Sequence, residues 1–149
     1  MEEFNALEKV EKLFKEKGVK GKEHIYDVLL LDNRKYSGMM SGMEYPFAGL
    51  VMDFTEEGIG FFHLVTAKFS LMISLEKLKL NKDSYTFLKN EDIKSIEVKK
   101  FALLDKKRKE VIIKTVDGKK YYLYQKVDDN TIPYHNENFA KIAAKYEAK

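Results

Sequence analysis

The sequence contains no cysteine, which excludes a disulfide framework, a thiolate nucleophile and a thiolate metal site. Long apolar runs are missing as well. Stretches such as Val28 to Leu31 fall far short of the roughly 20 residues that a membrane-spanning helix needs. The opening residues, MEEFNALEKVEKLFKEKG, are acidic and periodic, without the basic start and apolar core of a signal peptide. A cytoplasmic placement is therefore expected. Histidine is scarce, with only His24, His63 and His135. No HExxH or paired-cysteine spacing occurs, and neither GxGxxG nor a GK[ST] phosphate loop is present. Asp128-Asp129-Asn130 lacks the twelve-position calcium pattern and its closing glutamate. Neither a metal nor a cofactor is expected.

What is present suits a small folded domain. A chain of 149 residues buries roughly two-thirds of its extended surface and builds a core without staples. Charge is distributed unevenly. Residues 1–75 hold 9 Lys or Arg against 12 Asp or Glu, whereas residues 76–149 hold 18 against 12. A basic second half suits an acidic partner, nucleic acid or anionic lipid, and equally a solvated lysine-rich surface.

Phe4, Leu7, Val10, Leu13 and Phe14 recur at helical spacing and predict an amphipathic helix from Glu2 to Lys17, ended near Gly18. Residues 1–23 form this helix and a linker; residues 24–149 form the main domain. Ile25 to Leu31 predicts a strand. Residues 32–46 are irregular and hold Met39, Met40 and Met43, which serve either as gap fillers or as an adaptable partner surface. Phe47 to Phe54 and Ile59 to Thr66 predict a hairpin turning at Thr55-Glu56-Glu57-Gly58. Ser70 to Leu75 predicts another strand, Asn81 to Ser84 a turn, and Tyr85 to Leu88 a further strand. Beyond Ile93 the chain alternates as a half-buried strand does. Lys106-Lys107-Arg108-Lys109 predicts an exposed turn, and Asp117-Gly118 a tight hairpin between Val111–Val116 and Tyr121–Tyr124. A last helix is expected to begin at the capping residue Asn136, with Phe139, Ile142, Ala143 and Tyr146 as its apolar stripe.

The phrases FLKNEDIKSIEV and VIIKTVDGKKYYLY, followed by the terminal helix, resemble a pleckstrin-homology-like domain of the bacterial kind over Phe47 to Tyr146. The resemblance implies an α+β fold: a bent antiparallel β-barrel or sandwich capped by the C-terminal helix, here with an added N-terminal helix. It implies a noncatalytic module for a protein or peptide partner, self-association included. Eukaryotic members of the broader fold often bind phosphoinositides through basic residues near the first strands. Thr55-Glu56-Glu57-Gly58, taken as the corresponding first hairpin turn, is acidic and disfavours that ligand.

The remaining candidates come from the residues themselves. Lys99, Lys100, Lys106, Lys107, Arg108 and Lys109, extended by Lys119 and Lys120, form the candidate surface for an anionic membrane or nucleic acid. Tyr121, Tyr122 and Tyr124 would stack bases in the second case. Acids at Glu97, Asp105, Glu110 and Asp117 dilute the set. A small enzyme would need a histidine held by an orienting group. His63 is expected to be a satisfied core or interface residue. His135 is expected to make a local hydrogen bond or lie exposed, and His24 to lie in a linker.

Overall fold

A computed structural model describes residues 4–19, 21–32, 48–66, 78–104, 108–125 and 132–146. Helix α1 (Leu7–Glu16) precedes seven strands: β1 (His24–Leu31), β2 (Gly49–Thr55), β3 (Gly58–Thr66), β4 (Leu78–Lys89), β5 (Ile93–Lys100), β6 (Lys109–Thr115) and β7 (Lys120–Tyr124). Helix α2 (His135–Tyr146) follows. The strands form one antiparallel sheet in the order β4-β3-β2-β1-β7-β6-β5. The architecture is α+β, with a helix at each end of the strand series.

Helix α1 starts later than its periodicity predicts. Ala6 is extended and supplies no side-chain cap. Phe4 is drawn into the core, where the Tyr134 hydroxyl donates to its carbonyl at 2.6 Å. Tertiary packing thus outweighs helix propensity in this first turn. At the other end Gly18 takes φ +72, and the Gly18 and Val19 amides donate to Lys15 and Phe14. This left-handed ending satisfies the last carbonyls of the helix.

Two cores lie on opposite faces of β1–β3. Tyr26, Val28, Val51 and Phe62 face α1, whose Val10 and Phe14 are buried among them. Phe14 packs against the rings of Tyr26, Phe62 and Tyr85. The opposite face joins Leu29, Leu50, Met52 and Phe61 to Val98, Val111, Leu123 and the α2 residues Phe139 and Ile142. With both faces covered, β2 is buried along its whole length, so its sequence runs apolar instead of alternating. Helix α1 packs on its own sheet.

Strands β4 and β5 stand at opposite ends of the strand order, yet only Asn90–Asp92 separates them. That link spans about 14 Å at most, whereas a flat seven-stranded sheet is about 29 Å across. The sheet is therefore strongly curved, and its two edges approach at this corner. A second irregularity lies at β1, which pairs with β7 only at Leu30 and Leu31. The α2 residue Asn138 occupies the resulting seam, its side-chain amide donating to the Tyr26 carbonyl at 2.8 Å.

The segment read as a turn at 81–84 belongs to β4. It is a bulge: Phe61 pairs with Thr86 but His63 with Asn81. The turn chemistry is present, because Asn81 Oδ1 accepts from the Asp83 amide and the Ser84 hydroxyl donates to the Asn81 carbonyl. The His63 amide then donates to Ser84 Oγ at 2.7 Å, which holds the bulge inside the sheet. The strand expected at Ser70–Leu75 lies outside the described residues.

Candidate functional site

The corner where the sheet edges approach carries a groove of about 450 Å³. Its walls are Thr55 and Glu56 of the β2–β3 turn, Asn90, the start of β5 from Ile93 to Ile96, and Lys145 and Tyr146 of α2. Each wall is fixed locally. Thr55 Oγ1 accepts from the Glu57 and Gly58 amides, and Gly58 takes φ +152. A side chain on Gly58 would meet the Leu88 carbonyl at 2.1 Å, so only glycine fits this turn. Asn90 donates from its side chain to the Glu56 carbonyl at 2.6 Å and from its amide to the Glu57 carbonyl at 3.2 Å. The Glu56 carboxylate accepts the Lys22 amide at 2.5 Å and the Glu23 amide at 3.1 Å. These bonds hold its pKa below the ordinary glutamate value.

The groove floor is apolar at Ile93, Ile96 and Tyr146, and its rim carries Lys94 and Lys145. Glu56 already spends its carboxylate on the linker amides. Beside the groove runs β5, an end strand in the sheet order. Its exposed side chains include Lys94, Glu97, Lys99 and Lys100, with Ile96 half-buried and Val98 buried. Such an edge strand presents backbone donors and acceptors outward.

Two histidine–carboxylate contacts lie on the two faces of the sheet. His24 opens β1, and its Nδ1 is 2.8 Å from Asp53 Oδ2 while its Nε2 is 3.1 Å from the Gly21 carbonyl. Both neighbours are acceptors, so both nitrogens donate when the ring is an imidazolium. Burial pulls the His24 pKa down, but the Asp53 hydrogen bond and charge, the Gly21 carbonyl and Glu56 outweigh it, and the net shift is upward. Burial raises Asp53 to about 6, with His24 opposing. On the other face His135 Nδ1 lies 2.5 Å from Asp27 Oδ1. Burial likewise raises Asp27 to about 6, against the His135 bond and the Val28 amide. Asp27 Oδ2 and His135 Nε2 are buried without a hydrogen-bond partner among the described residues.

These placements correct three expectations. His135 is 2% exposed and bonds to a residue 108 positions away, so its contact is neither local nor exposed. His24 is part of a strand. Helix α2 begins at His135, which makes Asn136 an exposed residue of its first turn and not its cap. His63 is half-buried and stacked on Phe61 at 6.0 Å, and desolvation lowers its pKa. This setting is that of a packed residue. Among the described residues no group of three or more His, Cys, Asp or Glu side chains is placed to hold a metal, and no helix is long and apolar enough to cross a membrane.

The basic candidates divide. Lys99 and Lys100 are exposed at the end of β5, Arg108 is exposed at the return of the chain, and Lys109 opens β6. Lys106 and Lys107 lie outside the described residues, as do Met39, Met40 and Met43. Lys119 and Lys120 sit at the far end of β6, about 20 Å along the strand from Lys109, so they do not extend the set. Tyr121, Tyr122 and Tyr124 are half-buried and packed against the cores, which withdraws them from base stacking.

The first hairpin of the sheet joins β1 to β2 through residues 32–48, and Thr55–Gly58 closes the second, so the acidic turn is not the first turn of the sheet. No family model matches this chain, and searches of curated proteins and of solved structures return no match. What the fold and the groove define is a class by geometry: an α+β sheet domain with an edge strand beside a helix-walled groove.

Proposed function

We propose that this chain is a noncatalytic interaction module of pleckstrin-homology-like build, its sheet rolled into a bent barrel or sandwich capped by α2. The strand order, the curvature imposed by the three-residue β4–β5 link, and the helix after the last strand support that build. Its partner is a protein or peptide segment that adds as a strand along β5. One observation carries the assignment: an edge strand borders a groove with an apolar floor and two lysines on its rim. Backbone pairing supplies affinity in this mode, and side-chain pockets supply selectivity. The groove chemistry selects an extended segment with an apolar side chain for Ile93, Ile96 and Tyr146, and a carboxylate for Lys94 and Lys145.

Selection of binders from a displayed random-peptide library tests this. The expected binders combine an acid with an apolar residue and shift the amide resonances of residues 93–96 and 145–146. A Lys94→Glu/Lys145→Glu variant should bind them about tenfold more weakly, since reversing two exposed rim charges turns attraction for the partner's carboxylate into repulsion. Binders that map elsewhere, or an unchanged affinity, would overturn the assignment.

A further inference from the structure

The tip of the β5–β6 hairpin carries a feature that neither the core nor the groove explains. Leu103 is 88% exposed and Leu104 91% exposed, well above the other exposed large apolar side chains, Val116 at 62% and Leu7 at 37%. Single exposed apolar residues are ordinary. Two adjacent leucines standing almost fully in water at a hairpin tip are a different matter, because they add apolar exposure without any packing return.

The base of the same hairpin is cationic. Lys99 and Lys100 are exposed on one strand; Arg108 and Lys109 stand on the other. Lys100 pairs directly with Lys109 in the register, and like charges facing each other across a ladder weaken it. In the same register Lys99 stands opposite Glu110. The collar is held in place by its own contacts. The Phe101 amide donates to the Arg108 carbonyl at 3.3 Å, the Arg108 guanidinium lies 4.5 Å from the centre of the Phe101 ring, and that ring packs on Tyr124 at 4.9 Å.

We propose that this hairpin tip is a docking site for the surface of an anionic lipid bilayer. Leu103 and Leu104 enter the boundary between headgroups and acyl chains, while the lysines and Arg108 stay at the lipid phosphates. Apolar tips beneath a cationic collar match both layers of such a surface. A nucleic-acid backbone would use the collar but has no place for the leucines. A second copy of this chain would use the leucines, but it would bring a second cationic collar against the first.

Sedimentation of the full chain with vesicles tests the site. Binding is expected to vesicles of phosphatidylcholine mixed with phosphatidylglycerol, to weaken with added salt, and to be weak on phosphatidylcholine alone. Leu103→Ser/Leu104→Ser should lower the partition onto anionic vesicles at least about tenfold, as expected for removing two apolar side chains from the interface. Lys99→Ser/Lys100→Ser/Arg108→Ser should lower it about fivefold per charge and flatten the salt dependence. Both variants should melt with the parent protein, because the altered side chains are exposed. The chain has no tryptophan, so a Leu104→Trp variant provides a single indole whose emission should shift to the blue on anionic vesicles. Equal binding to both vesicle types, an unaffected leucine variant, or an unshifted Leu104→Trp emission would overturn the proposal. Salt-sensitive binding to single-stranded DNA that the leucine variant retains, with no anionic-vesicle binding, would reassign the collar to nucleic acid. A dimer that the leucine variant dissolves would assign the tip to self-association.

Discussion

Asp27 and Asp53 sit on neighbouring strands and opposite faces of the sheet, and each meets a histidine at a different depth. Asp53 shares its proton economy with a ring at the rim, while Asp27 and His135 are both buried. The Asp27 contact spans β1 and α2 and so anchors the helix, but it leaves Oδ2 buried without a hydrogen bond among the described residues. A carboxylate in that setting is strained when ionised. Burial raises its pKa from 3.8 to about 6, so the folded state holds the proton over a range where the unfolded chain has lost it. The stability this group contributes is present below pH 3.8 and is lost as pH rises through about 6. Asn at position 27 keeps an oxygen for His135 and removes the charge. Relative to the parent, Asp27→Asn should therefore gain up to about 3 kcal/mol between pH 4 and pH 7 in denaturant unfolding. A gap that does not widen with pH would show that Asp27 keeps an ordinary pKa.

At the scale of elements, the Glu56 carboxylate ties the linker after α1 to the β2–β3 turn through the Lys22 and Glu23 amides. His24 reinforces the tie by bonding to both Gly21 and Asp53. Glu56→Ala should speed amide hydrogen exchange at Lys22 and Glu23 while leaving exchange in β2 and β3 unchanged, because local opening is independent of the buried strands. The elements that the sequence made legible are those written in neighbouring residues. Phe4 to Phe14 carries a helical period, and Gly58 and Gly118 mark hairpin turns where φ is positive. The bulge in β4 was misread because Asn81 and Ser84 do form turn contacts, and only pairing with β3 shows that the strand continues. The Asp27–His135 contact was invisible at 108 residues of separation. Leu103 and Leu104 were missed for the opposite reason: apolar residues in a strand-rich stretch suggest burial, and nothing local marks them as exposed. The groove of residues 93–96 and 145–146 joins strand to helix across the fold, and no spacing in the sequence encodes it.

For the whole molecule, two meanders, β1–β4 and β5–β7, are each stitched together by pairing between consecutive strands. Among the described residues the sheet pairs them to each other where Leu30 and Leu31 of β1 meet Tyr124 and Leu123 of β7, with the Asp32 amide donating to the Tyr122 carbonyl at 2.8 Å just beyond. The three-residue link bends one meander toward the other, and α2 fills the seam left beyond the short pairing. This arrangement dictates an order of assembly. Pairing between consecutive strands closes shorter loops than the β1–β7 contact, which must close most of the chain at once and is expected late. Asn138→Ala, which leaves the Tyr26 carbonyl unsatisfied at about 1–3 kcal/mol, should then accelerate unfolding and barely change the folding rate. Val51→Ala, within the first meander, should slow folding itself. Stopped-flow kinetics across a denaturant series separates the two effects, and a slowed folding limb for Asn138→Ala would place the seam in the nucleus. A domain that zips from its hairpins and is fastened last at one short seam has its sparsest backbone pairing there, where two residue pairs and a helix end supplement the core side chains that the two meanders share.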